Sequence, residues 1–195
     1  MLGRTHMLLG GAAGMAMMRV LGYEDGILPT IVAAVGALVP DLDHPKSMIN
    51  QRLLPIKNKF TKIVVYCGIG AFLLYQHTVY AYTWLMLLGL LFIMFGISGH
   101  RGLSHSLFGT FFISAAICCA FADTAGKPLV IAFITGLVSH LAGDMLTREG
   151  VKLFYPFSKR HIYFPVTITT GGIVEKVLNI VLVIFILERW RGISS

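Results

Sequence analysis

The residues able to do chemistry sit in three short stretches and at one isolated histidine. "VPDLDHP", residues 39–45, places Asp41, Asp43 and His44 within four positions at the end of an apolar run. "HRGLSHS", residues 100–106, carries His100 and His105 with Arg101 and Gly102 between them. "HLAGD" sets His140 and Asp144 at i,i+4, which stacks both side chains on one face of a helix. His6 stands near the start of the chain. Imidazole and carboxylate are zinc ligands, and a catalytic zinc site keeps one position for water. His6, Asp41, Asp43, His44, His105, His140 and Asp144 together offer more donors than one tetrahedral ion needs. Two or more ions sharing a bridging aspartate would use them and would clamp a phosphoryl group.

Each stretch also has a plainer account. Asp and Pro are common turn residues, so "VPDLDHP" can be a solvated loop. Ser104 or Ser106 can cap a following helix, with Arg101 a basic anchor beside it. His140 and Asp144 can share a simple hydrogen bond. His77 and His161 fall in a turn and in a long loop, and are assigned to solvent or interface. Glu175 opens the last apolar segment, either in support of the site or paired with Lys176.

The elements that must position these residues are apolar helices. The 195 residues are 56% hydrophobic and 13% charged, against roughly 25% charged in soluble domains. The mean hydropathy is +0.77. Segments are expected at Thr5–Val20, Ile27–Val39, Lys62–Tyr75, Thr78–Ser98, Leu107–Ala122, Pro128–Leu146 and Ile173–Leu187. Thr78 to Gly99 runs 22 residues without a formal charge, and a span needs about 20. The expected fold is all-α: a polytopic membrane helical bundle of about six to seven hydrophobic helices. Its metal site lies near the cytoplasmic face. Residues 1–195 are expected as a single integral membrane domain, with 147–172 a cytoplasmic loop within it.

If each segment crosses once from a cytoplasmic Met1, the turn near Gln76–His77 is external. Twelve of the 16 Lys and Arg then fall on the cytoplasmic side, with Arg19, Lys127, Arg189 and Arg191 outside. That bias is the positive-inside pattern. It accounts for the net charge of +7 without nucleic acid, for which no motif is present. The same topology brings His6, Asp41, Asp43, His44, His100, Arg101, His105, His140 and Asp144 toward one membrane face, where buried ionisable groups are usually paired or functional. Cys67, Cys118 and Cys119 lie in apolar segments with no CxxC pair and read as small core residues. The first 18 residues imitate a signal peptide, but a retained first helix is expected, because His6 is needed as a ligand.

The ordered set of an N-terminal His, "VPDLDHP", "HRGLSHS" and "HLAGDMLTREGVKLFYPFSKR" resembles the YdjM-like family. The match runs from His6 to about Pro165. Members are described as LexA-binding, inner-membrane-associated, metal-dependent hydrolases. The family in turn resembles the zinc-dependent phospholipase C and single-strand nuclease superfamily, all-helical enzymes that hydrolyse phosphoesters at zinc ions held by His and Asp. What the resemblance carries over is His6, Asp41, Asp43, His44, His100, Arg101, His105, His140 and Asp144. The chain departs from the secreted phospholipases in having several membrane segments.

The expected function is a membrane-bound hydrolase in which metal-activated water attacks a phosphoester of a phospholipid or lipid-linked phosphate. His6, Asp41, His105, His140 and Asp144 are the first-choice zinc ligands, with Asp43 and His44 next. Asp41 or Asp43 would bridge ions or act as general base. Arg101 would stabilise phosphoryl charge, and His100 would donate a proton or support the site. "VKLFYPFSKRHIYFP" is either an interfacial anchor or a guide for anionic headgroups. Two other classes stay open: a metal-ion transporter, and a non-catalytic scaffold whose metal only ties helices together.

Overall fold

Long apolar runs without interior proline favour helix, and the computed structural model is built from them. It describes residues 1–24, 26–99, 101–121 and 126–193. The described residues form eight α-helices: α1 Gly3–Val20, α2 Ile27–Gly36, α3 Asn50–Leu53, α4 Lys59–Tyr80, α5 Thr83–Ile97, α6 Leu107–Phe121, α7 Lys127–Met145 and α8 Ile173–Ile193. Two 3-10 turns, Pro40–Asp43 and Leu103–His105, carry much of the polar chemistry. The helices divide into two compact units.

The first unit comprises Met1–Val39, Thr124–Val151 and His161–Ser195, and so holds α1, α2, α7 and α8. Here α1, α2 and α7 pack on one another through small residues. A Cβ at Gly136 of α7 would fall inside the contact shell of the Ala33 carbonyl on α2, and one at Gly14 of α1 would collide with the Ala33 methyl. Such close backbone approach is how helices associate where no apolar effect separates them from lipid. Met18, Ala33 and Ala132 form the buried centre of that contact. On the other side of α1, Ala12 and Met15 pack against Ile186 of α8, with Leu182, Phe185 and Trp190 around them. Pro128 sits in the first turn of α7, where its missing N–H leaves no bond unmade. After α7 the chain folds back through isolated bridges, Thr147 with Ile168 and Val151 with Ile162.

The second unit comprises Pro40–Asp123 and Lys152–Arg160. Asn58 caps α4 by accepting the Thr61 N–H at 2.7 Å. The hairpin of α4 and α5 closes on small residues again: a Cβ at Gly70 would lie 2.7 Å from the Gly89 carbonyl oxygen.

The helices α4 and α7 are long and apolar enough to cross a membrane, with mean hydropathy 1.3 and 1.5; α5 and α6 are shorter apolar helices. Only 11% of the apolar window of α4 is buried. Its Val64, Ile69, Phe72 and Val79 face outward, an apolar surface that suits lipid better than water.

Two expectations about the segments change. The turn expected near Gln76–His77 lies instead at Ala81–Tyr82, so the 22-residue helix is α4 and the uncharged run Thr78–Gly99 is split. The cause is a left-handed cap: Ala81 has φ +56°, and its N–H donates to the His77 carbonyl at 2.8 Å. Rather than breaking the helix, His77 lies at its closure, with Nδ1 3.0 Å from the Tyr82 carbonyl oxygen. The second segment stops at Gly36, short of Val39, because Pro40 begins a 3-10 turn.

Candidate metal centre

In the first unit, the helical repeat of α7 puts His140 and Asp144 on one face of its last turns, and the first turns of α1 bring His6 to them. All three are buried, at 1%, 0% and 2% exposure for His6, His140 and Asp144. Each offers one ligand atom, and these atoms lie within 4.8 Å of one another. His6 Nε2 is 3.2 Å from Asp144 Oδ1, and His140 Nε2 is 3.7 Å from Asp144 Oδ2. The two imidazoles stack with centroids 3.8 Å apart. Gly143 makes the approach possible, since even a Cβ there would come within 3.3 Å of the His6 ring. The α-amino group of Met1 donates to Asp144 Oδ1 at 2.7 Å.

Tautomers follow from the partners. His140 Nδ1 lies 2.6 Å from the Ala37 carbonyl oxygen, which can only accept, so Nδ1 carries the proton. In the neutral ring Nε2 is then a lone pair directed at a carboxylate. A lone pair and a carboxylate facing each other across 3.7 Å suit a cation between them, a second ring proton or a metal ion. Ligands about 2.1 Å from zinc at near-tetrahedral angles lie about 3.4–3.6 Å apart, close to the spacing found. A ligating His whose other nitrogen donates to a carbonyl is the usual supporting arrangement of metal sites. His6 adds a buried ring nitrogen, Nδ1, that has no hydrogen-bond partner among the described residues. The residues therefore fit a divalent ion.

The second unit repeats the logic with other partners. Asp43, buried at 1% exposure, accepts the Arg101 N–H at 3.2 Å and a short hydrogen bond from Ser104 Oγ. His105 Nδ1 lies 3.3 Å from the same carboxylate and 2.9 Å from Ser104 Oγ. With Nδ1 engaged, His105 Nε2 faces Asp41 Oδ1 at 3.6 Å. Asp43 thus orients the ring, while Asp41, whose side chain is 18% exposed, stands at the accessible edge. Arg101 supports the arrangement through its backbone and takes a left-handed φ of +57° to do so, a conformation uncommon for non-glycine residues.

His44 is placed differently: its Nδ1 accepts the Lys46 N–H at 3.2 Å, within its own turn. His100 lies outside the described residues. His161 is exposed, with Nδ1 2.7 Å from the Glu149 carbonyl oxygen.

Four supporting residues escaped the sequence pattern or were left open by it. Lys62, buried at 1% exposure, donates from Nζ to the carbonyls of Asp43 and Ser98 at 2.6 and 2.7 Å. Asn50 donates from Nδ2 to the carbonyls of Leu42 and His44 at 2.9 and 2.8 Å, and accepts the Tyr66 hydroxyl at 2.5 Å. Lys62 and Tyr66, one turn apart on α4, therefore clamp the Asp41–His44 turn from behind. In the first unit Glu175 accepts the Leu2 N–H at 2.7 Å and the Gly171 N–H at 2.5 Å. It anchors the start of the chain that carries His6, while Lys176 is exposed. The position, in the first turn of α8, is electrostatically favourable for an acid.

Fold and site together define an α-helical protein with helices fit for a membrane and His/Asp groups fit for a divalent cation. The chain belongs to the YdjM inner membrane protein family, whose model matches residues 1–194. It is 27% identical over 181 residues to the Bacillus subtilis (strain 168) protein YvsG, covering 91% of this chain and 87% of that one. It is 29% identical over 126 residues to the inner membrane protein YdjM of Escherichia coli (strain K12), covering 64% of this chain and 47% of the relative. The Shigella flexneri inner membrane protein YdjM matches to the same extent. The chain thus spans about half the length of those two relatives. No solved structure matches it significantly.

Proposed function

We propose that this protein is a multi-pass inner-membrane hydrolase that uses zinc, or another divalent ion, to cleave a phosphoester of a phospholipid or lipid-linked phosphate at the cytoplasmic face. The observation that carries the reading is the pairing of imidazole Nε2 with carboxylate at 3.7 Å for His140 and Asp144 and at 3.6 Å for His105 and Asp41. In both pairs Nδ1 is already engaged. Lys and Arg are concentrated in the loops that this topology places in the cytoplasm.

In the first unit His6, His140 and Asp144 would hold one ion; in the second, Asp41 and His105 would offer ligands for another. A bound ion would lower the pKa of a water and polarise a phosphoryl oxygen. Asp43 keeps His105 in the tautomer that leaves Nε2 unprotonated. Asp41, at the accessible edge, is placed to take a proton from the attacking water. Arg101 would neutralise phosphoryl charge, and His100 remains the proposed proton donor.

The test is phospholipid hydrolysis by the detergent-purified chain, with and without chelator. Turnover that disappears on chelation and returns with zinc supports the reading; turnover unaffected by complete metal removal contradicts it. The deep burial of His6, His140 and Asp144 favours a second reading, in which the metal only ties α1 to α7. Loss of thermal stability on chelation, with no hydrolysis of any phospholipid, would select that one.

A further inference from the structure

The second unit contains a cavity of about 280 Å³ that none of the His/Asp contacts uses. Its walls are Ile97–Gly99, Gly102 and Leu103 on one side, and Lys152 and Tyr155 on the other. The segment Lys152–Arg160 is held there by the Leu107 N–H donating to the Leu153 carbonyl at 2.9 Å, and by Phe157 packing edge-on to Phe108. Its sequence, "KLFYPFSKR", has three cations and no acid, and the cavity lining has no acid either. Among the described residues the Lys152 ammonium and Tyr155 hydroxyl make no side-chain hydrogen bond. Both are half-buried, so each is partly removed from water with no side-chain hydrogen bond among the described residues in its place. Partial burial strengthens the attraction of such a lysine for an anion. On the same segment Phe154 and Phe157 are 53% and 86% exposed.

The geometry points to a binding site for a phosphate-bearing lipid headgroup. Lys152 pairs with the phosphate oxygens, Tyr155 donates a further hydrogen bond, and Phe154 and Phe157 meet the apolar part of the lipid. Leu103 lines the cavity and begins the 3-10 turn that ends in His105, so the two share one short element. This assignment rests on the proposed phosphoester substrate, but binding can be read without turnover.

The experiment uses the full chain in detergent, with metal removed by chelator, and measures binding of dioctanoyl phosphatidate by native mass spectrometry. Inorganic phosphate and dioctanoylglycerol are the competitors. Lys152→Gln is expected to weaken phosphatidate binding about tenfold or more, as loss of a charge-assisted bond would. Lys152→Arg retains binding, Tyr155→Phe weakens it less than Lys152→Gln, and Lys159→Gln, on the same segment but exposed, leaves it unchanged. Inorganic phosphate displacing phosphatidate at equal concentration would support the anion site and name free phosphate, in place of a lipid headgroup, as its ligand. Unchanged phosphatidate binding by Lys152→Gln, or equal competition by dioctanoylglycerol, would overturn the assignment. Binding intact without hydrolysis after metal is restored would instead remove only the enzymatic reading.

Discussion

His140 and Asp144, one turn apart on α7, face each other through Nε2 and Oδ2 at 3.7 Å while the Ala37 carbonyl holds the opposite ring nitrogen at 2.6 Å. The carbonyl decides the tautomer and the tautomer decides the ligand. A neutral ring whose proton is committed behind it offers a lone pair in front. His105 reaches the same condition with Asp43 and Ser104 in place of the carbonyl. Two histidines on separate elements are thus prepared in the same sense.

The buried ammonium of Lys62 is a structural clamp on the Asp41–His44 turn. Lys62→Met keeps the apolar stem but leaves two buried carbonyls without a donor. It is expected to destabilise the chain by about 2–4 kcal/mol, measured as a lowered Tm in detergent. An unchanged Tm would mean that the turn is held by other contacts.

Tyr66 acts through Asn50 on the same turn. Tyr66→Phe removes one hydroxyl and is expected to cost about 1 kcal/mol, again read by thermal unfolding. Asn50→Ala removes two donors and one acceptor at once and should cost more than Tyr66→Phe.

Close packing of α7 on α2 makes Gly136 and Gly68 opposite controls. Gly136→Ala drives a methyl into the Ala33 carbonyl and is expected to cost about 1–3 kcal/mol. Gly68→Ala meets nothing within 4 Å and should be neutral or stabilising by about 1 kcal/mol, since alanine is the better helix former. Equal effects on Tm would contradict the packing.

The proposed orientation puts the Lys152–Arg160 segment in the cytoplasm. With Cys67, Cys118 and Cys119 replaced by alanine, Lys159→Cys is expected to resist an impermeant thiol reagent in intact cells and to react in inverted vesicles. Labelling in intact cells would reverse the topology.

Local spacing alone shows only the His140–Asp144 part of the site, while His6, Asp41, Asp43 and His105 are legible as donor types in separate stretches. His140 and Asp144 meet because of the helical repeat, and Asp43 and His105 belong to motifs whose donor types matched. Lys62 was not visible, because a lysine at the start of an apolar helix looks like a positive-inside anchor; only tertiary folding brings two carbonyls to its amine. Asn50 and Tyr66 carry no metal or catalytic signal and matter only through the turn they hold. For Glu175 the sequence leaves open a supporting role or a pairing with Lys176; the Leu2 and Gly171 N–H groups on its carboxylate decide for support. Among the helices, the interior of each apolar run was legible, but the turn at Ala81 was not. It has neither Gly nor Pro, while the polar pair Gln76–His77 five residues earlier resembles a break. In uniformly apolar helices little amphipathic contrast remains to mark where one ends.

The central claim is that prepared imidazole and carboxylate groups hold a divalent cation, and elemental analysis of the purified full chain tests it most directly. The account predicts a divalent metal bound in near-stoichiometric amount in the wild type, and sharply reduced in His140→Ala and Asp144→Asn variants that keep the helical circular dichroism of the parent. A metal-free wild type that takes up no zinc, or folded variants that retain the full complement, would contradict it.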